Sequence, residues 1–229
     1  MFTTPAYRIE TEHTVLRCFE VRDARALHEV VLANIDHLAP WLEWARDEPL
    51  ALAAHVEVVR AFRRRFDGDE EFAYAVFAKS GEQLLGSVAL HRVPSEPFAM
   101  TLGYWFARQD CGRGLATEAA GALVRCAFEV HGVARLEIHC DASNARSRAL
   151  AERLGFRLDA ELRDRGHAPG GARAVHSLLR HEYPEAPAVR VEATAYDALE
   201  DVLFESDEPR RASLLAEPRR ADSPREPRR

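Results

Sequence analysis

Apolar residues recur along the chain with two periods, and the switches between them mark out the elements. Val15 to Phe19 alternates and reads as a short strand. Asp23 stands where a cap would open a helix whose apolar positions Leu27, Val30, Val31 and Ile35 follow helical spacing. A second helix is expected from about Pro49 to Phe66, with proline in its first turn. Phe72–Ala78 and Leu84–His91 read as strands joined by a glycine-containing hairpin turn, Lys79-Ser80-Gly81-Glu82. A loop bearing Pro94 and Pro97 leads to another strand over Thr101–Ala107. Beyond Gly112-Arg113-Gly114, a helix carrying Ala116, Ala120, Leu123, Ala127 and Val130 on one side runs to a stop at Gly132. Leu136–Cys140 alternates as a strand, and Ser143 or Asn144 caps a short helix ending at Gly155. Phe156–Leu158 and Val175–Leu179 are weaker strands. The order is a strand, two helices, a β-meander, then β–α–β–α–β. It predicts a mixed α/β domain rather than an alternating doubly wound one.

After Tyr183-Pro184 the pattern gives way to charge blocks. Residues 185–208 hold eight acidic side chains against one arginine, and residues 209–229 hold seven arginines against three acids. Such blocks lack a core of their own, so a domain over 1–184 and a mostly disordered charged tail over 185–229 are expected. Within that tail Tyr196, Leu199, Val202, Leu203 and Phe204 could form an amphipathic turn or two.

Composition narrows the class. Of the 229 residues, 31 are basic and 37 acidic, a formal charge of −6, which argues against a dominant nucleic-acid or anionic-membrane footprint. Lys79 is the sole lysine, so arginine abundance by itself says little. Cys18, Cys111, Cys126 and Cys140 form no C-x-x-C pair, which leaves neither zinc spacing nor a secreted disulfide framework. No metal site is expected. Neither a signal peptide nor a membrane-length apolar run is read, and a cytoplasmic protein is expected.

The stretch that carries chemistry is the turn from the Thr101–Ala107 strand through Gly112-Arg113-Gly114 into a helix. Glycines there let backbone approach a ligand, and the first helical N–H groups carry partial positive charge, together a place for a phosphate or pyrophosphate. A lone G-x-G more often serves turning alone. A P-loop is excluded because no lysine follows the glycines. A dinucleotide fingerprint fails because Thr117 replaces the third glycine, the glycines do not follow the strand directly, and no second run of alternating elements follows.

Leu102-Gly103-Tyr104-Trp105 and Gly112-Arg113-Gly114-Leu115-Ala116-Thr117-Glu118-Ala119 resemble the GNAT N-acetyltransferases, specifically their RimJ/RimL-like branch. Asp141 to Ser147, Leu154-Gly155-Phe156 and the segment from Asn34 to Trp44 match that branch as well, in the same order, so the resemblance covers roughly residues 8–183. One position departs: in the register favoured by the helix start, Cys111 stands where Gln, Arg or Trp is usual. Its side chain is expected to pack.

The resemblance implies a central, mostly antiparallel sheet with splayed central strands and flanking helices. It implies acetyl-CoA as co-substrate, with pantetheine against the backbone of Tyr104, Trp105 and Phe106 and the pyrophosphate on the N–H groups of Gly112, Arg113, Gly114, Leu115, Ala116 and Thr117. Asn144 would contact the pantetheine, and its local role is a helix cap. Ser147 matches a serine that protonates the departing thiolate, where a first-turn cap is the plain alternative. His139 is the expected general base, with Glu137 and His167 as competitors and water as a possible relay. The loop glutamate used in this branch is replaced by Gly166. Glu118 suits the positive end of its helix. Trp41 and Trp44 would line the acceptor side. The acceptor is a primary amine, either a protein N-terminus or a small molecule, and the chain a monomer or homodimer. A catalytically idle CoA-binding module with a partner-binding tail is the alternative.

Overall fold

Ten strands share one sheet in the computed structural model, which describes residues 4–81, 83–165 and 171–206. In chain order the elements are β1 (Arg8–Thr11), β2 (Thr14–Cys18), α1 (Ala24–Leu32), α2 (Ile35–Leu38) and α3 (Leu52–Asp67). The meander β3 (Glu71–Ala78), β4 (Leu84–Val93) and β5 (Glu96–Phe106) follows, then α4 (Leu115–Arg125) and β6 (Arg135–Asp141). The remainder is α5 (Ala145–Arg153), β7 (Arg157–Arg163), β8 (Ala172–Leu179), β9 (Ala193–Tyr196) and β10 (Val202–Phe204). The strands lie in the order β10-β9-β1-β2-β3-β4-β5-β6-β8-β7. All neighbours are antiparallel except β5 and β6, and the mixed α/β architecture is the one expected.

Strand alternation divides the side chains between two cores. Phe72, Tyr74, Val76, Met100, Leu102, Phe106, Leu136 and Ile138 face α4 and α5, while Ala73, Ala75, Phe77 and Ala89 face α1 and α3. Trp105 packs on the second side. The two helical layers thus cover opposite faces of one sheet, and the β5–β6 junction lies between them.

Several expected boundaries move. The first helix breaks at Ala33–Asn34, because the Asn34 side-chain amide donates to the Val30 carbonyl at 2.8 Å and competes with the backbone for that acceptor. Pro49 lies outside α3, whose first residue is Leu52. Glu48 holds the preceding turn by accepting from the Leu50 N–H at 2.6 Å and pairing with buried His55 at 3.1 Å. Around Pro94 the chain makes a hairpin with a register shift at Arg92/Val93, so β5 already includes Pro97. Asp23 opens α1, but its carboxylate accepts two 2.7 Å bonds from Arg17 and one from the Glu20 N–H at 2.8 Å, in the capping box of the preceding 3-10 turn, and gives α1 itself no cap bond.

The expected break after Pro184 is corrected over residues 185–206. The chain continues through two short 3-10 turns into β9 and β10, which extend the sheet beyond β1. The cause is Arg125, only 1 % exposed at the end of α4. Its guanidinium bonds Glu129 twice, at 3.0 and 3.2 Å, and donates to the Val191 carbonyl at 3.0 Å and to the Ser206 hydroxyl, with the Phe204 ring beneath it. A buried cation needs such acceptors, and among the described residues this segment supplies those beyond Glu129. Gly121 makes room for it: a Cβ there would come within 2.5 Å of Val191 Cγ2. The rest of the expected tail, residues 207–229, lies outside the described residues.

Arg125→Ala leaves Glu129 without its buried cation, so we expect a stability loss of about 3–5 kcal/mol in urea unfolding. Arg22→Ala on the exposed surface should change it by less than about 0.5 kcal/mol.

Candidate functional site

β5 and β6 pair for only three residues, Ala99–Thr101 against Arg135–Glu137. Beyond that point β5 stays bonded to β4 as far as Phe106, and β6 stays bonded to β8 as far as Asp141. The two strands therefore separate, and the β6-facing backbone edge of β5 past Thr101, along Gly103, Tyr104, Trp105 and Phe106, has no strand partner among the described residues. An extended ligand could add to this edge.

The chain leaves β5 through a 3-10 turn, Arg108–Asp110, and enters α4 through two left-handed glycines, Gly112 at φ +80° and Gly114 at φ +83°. Gly114 is the N-cap and brings no capping side chain, so the first N–H groups of α4, at Leu115, Ala116 and Thr117, have no acceptors among the described residues. A Cβ at either glycine would meet nothing within 4 Å. The cradle is open, its N–H groups are uncapped and it carries the positive end of a helix, which fits a pyrophosphate. Arg113 donates to Asp110 at 3.1 Å, and the other Asp110 carboxylate oxygen is buried without a bond among the described residues.

Asn34 holds this loop in place. It is buried, and its Oδ1 accepts from the Arg108 N–H at 2.8 Å, so the α1–α2 junction is tied to the end of β5. Cys111 packs beside it, Sγ 3.6 Å from His37 Nε2, and burial raises its thiol pKa, which disfavours a thiolate. Burial also lowers the pKa of His37, helped by Arg108 and Arg146. Glu118 is a strut: it accepts from Thr11, from the His13 N–H at 2.9 Å and from His13 Nδ1 at 2.8 Å. Burial pushes its pKa upward, but these bonds outweigh that and hold it below the usual carboxylate range.

On the α4–α5 side of the parting stand Tyr104, Cys140 and Ser147. Asn144 caps α5, its Oδ1 accepting from the Ser147 N–H at 3.1 Å. The Ser147 hydroxyl is not spent on capping and lies 2.7 Å from the Tyr104 hydroxyl. Burial pushes the Tyr104 phenol up to about 12 against the bond from Ser147, so the pair is neutral near pH 7. Burial likewise raises the Cys140 thiol, partly offset by its own contact with Ser147. The Tyr104 side chain is the residue that sequence reasoning missed, having assigned only its backbone; the signal was the alternation that puts Tyr104 and Leu102 on one face.

On the opposite side stand Trp105, Glu137 and His139. Trp44 meets the Trp105 ring edge-on at 5.9 Å, and half-buried Trp41 lies one turn before it. His139 Nε2 is 2.6 Å from Glu137, which also accepts from Arg135 at 2.5 Å. Burial raises the Glu137 pKa, but Arg135 and His139 outweigh it and keep it ionised. His139 is not brought to Ser147: they lie on opposite faces of β6, since Cys140 is the β6 side chain that touches Ser147. His167 and Gly166 lie outside the described residues. No helix among the described residues is long and apolar enough to cross a membrane.

A family model described as an acetyltransferase (GNAT) domain matches residues 13–157. The putative ribosomal N-acetyltransferase YdaF of Bacillus subtilis is 30% identical over 174 residues, covering 75% of this chain and 94% of that protein. The [ribosomal protein uS5]-alanine N-acetyltransferase of Escherichia coli is 28% identical over 165 residues, covering 70% and 83%. Among solved structures, the ribosomal L7/L12 α-N-protein acetyltransferase RimL in complex with coenzyme A superposes with a TM-score of 0.68 at 19% identity, covering 78% of this chain and 98% of that one.

Asn34→Ala should free the Arg108 amide, seen as faster hydrogen exchange at that position, and lower stability by about 1–3 kcal/mol in urea.

Proposed function

The chain belongs to the GNAT acetyltransferase family, and from that premise we propose that it transfers the acetyl group of acetyl-CoA to the N-terminal amine of a protein by direct attack of the amine on the thioester. The parting of β5 from β6 carries this reading, because it opens a backbone edge to an extended donor while giving access from both faces of the sheet. Acetyl-CoA is a substrate here and supplies the acetyl group as an activated thioester. The free edge of Tyr104, Trp105 and Phe106 would hold its pantetheine arm, with Asn144 beside it. The N–H groups of Gly112 to Thr117 would hold its pyrophosphate.

In the transfer a C–N bond forms, a C–S bond breaks, one proton leaves the amine and one reaches sulfur. Ser147 would donate to the departing thiolate, and the neutral Tyr104 phenol, 2.7 Å from its hydroxyl, would replace that proton. His139, with one ring nitrogen on ionised Glu137, takes the amine proton through its other nitrogen. Acid and base thus work from opposite faces of the sheet. Trp41, Trp44 and Trp105 would line the acceptor side. A protein acceptor is supported by the names of the two curated relatives, and a cytoplasmic setting goes with it.

Two measurements test the reading. Gly114→Trp should fill the cradle and weaken acetyl-CoA binding at least tenfold by calorimetry, about 1.4 kcal/mol. Gly132→Trp, equally left-handed but past the far end of α4, should not. Ser147→Ala should lower kcat toward N-terminal peptides by about 10²-fold while acetyl-CoA affinity stays near wild type. Full turnover in that variant would leave Ser147 as a packing residue, and no turnover in the parent chain with intact acetyl-CoA binding would favour an idle module.

A further inference from the structure

Beside His139, on the face of the sheet turned away from α4 and α5, lies a cavity of about 440 Å³ lined by His139, Leu162, Arg163, Arg165 and Arg173. Three of its five lining residues are arginines. Arg163 ends β7, Arg165 follows it, and Arg173 stands near the start of β8 with Leu162 as its register partner. Arg163 and Arg165 are exposed and Arg173 is half-buried.

Several neighbouring carboxylates have donors outside the cavity lining. Asp141, opposite Arg173 in the β6–β8 register, accepts from the Ser143 N–H at 2.9 Å and the Ser143 hydroxyl at 2.5 Å. Glu161 takes Arg148 at 2.7 Å, and Asp159 and Glu137 each take Arg135 at 2.5 Å. Guanidinium groups present fixed forks of N–H donors that match carboxylates two at a time. These three lining guanidinium groups are opposite in sign to the net charge of −6, so the whole-chain charge is a poor guide to the acceptor. The cavity is also on the wrong face for the phosphates of the donor, which would lie at the start of α4.

We propose that the cavity binds acidic side chains immediately following the acceptor's first residue, so that the preferred substrate is a protein N-terminus with glutamate or aspartate at its second to fourth positions. This rests on the N-terminal acceptor reading above and names the class of N-terminus. An extended peptide advances ~3.3 Å per residue, so carboxylates at those positions fall within reach of arginines that begin beside His139. Leu162 supplies the one apolar wall, suited to the methylene stems of such side chains.

The test uses three otherwise identical ten-residue peptides beginning Ser-Glu-Glu, Ser-Gln-Gln and Ser-Lys-Lys, with free thiol release as readout. The full chain should acetylate the acidic peptide with a kcat/KM about tenfold or more above the lysine peptide, mainly through KM, and about 0.5 M salt should narrow the gap. Arg165→Gln with Arg173→Gln should flatten the order, and Arg165→Glu with Arg173→Glu should invert it. Acetyl-CoA affinity and melting temperature should be unchanged in both, which separates the effect from misfolding. Equal rates for the three peptides, or an acidic preference that survives charge reversal, would overturn this inference and leave the N-terminal reading standing. Failure to acetylate any peptide despite acetyl-CoA binding would overturn both.

Discussion

The early end of the β5–β6 pairing is the constraint on which the rest depends. Three residue pairs fasten the strands, after which β5 remains with β4 and β6 with β8. A break in the middle of a ten-stranded sheet would leave buried backbone donors and acceptors without partners, a costly state unless something else satisfies them. The surrounding elements hold that gap open. Asn34 fixes the end of β5 through the Arg108 N–H, Glu118 fixes the start of α4 to the β1–β2 hairpin, and Asn144 fixes the start of α5. Each is a side chain bonding backbone, so the loops around the gap are set by short, directional contacts rather than by packing alone.

The gap also sorts the polar groups by face. Alternation along β5 sends Tyr104 to one side and Trp105 to the other, and alternation along β6 does the same with Cys140 and His139. One side then holds a half-buried hydroxyl pair kept neutral by desolvation. The other holds an imidazole tied to a carboxylate that Arg135 keeps ionised. The difference in chemistry between the faces follows from a period of two residues and needs no unusual backbone.

Much of this was readable before any coordinates. The helical stripe of α4, the alternation of β6 and the glycines before α4 are local patterns, and local patterns survive folding. The Asn144-x-x-Ser147 spacing located a helix start, yet whether the serine hydroxyl caps that start or meets Tyr104 depends on two elements crossing, which no spacing encodes. β9 and β10 were illegible for a similar reason. They are only four and three residues long, too short for alternation to register, and what orders them is a long-range demand from Arg125 for acceptors. The acidic residues that made this segment look like a tail are real, but the described ones, Glu185, Glu192, Asp197, Glu200, Asp201 and Glu205, flank strands whose inward positions are Ala193, Ala195 and Phe204. The break at Asn34 was hidden because asparagine's competition for the Val30 carbonyl leaves the apolar stripe intact.

The pairing of Arg8 with Tyr196 has a consequence for how the protein is made. Synthesis runs from the amino end, so β1 and β2 leave the ribosome well before β9, the strand that covers the outer edge of β1. Until then the nascent domain presents a row of unpaired N–H and C=O groups, the kind of edge that recruits strands from other molecules. Arg125, already in place on α4, meanwhile waits without its carbonyl partners. Resistance to aggregation during translation is therefore decided by a short stretch near the carboxyl end, and premature termination before it would release chains that hold most of the catalytic architecture but an adhesive edge.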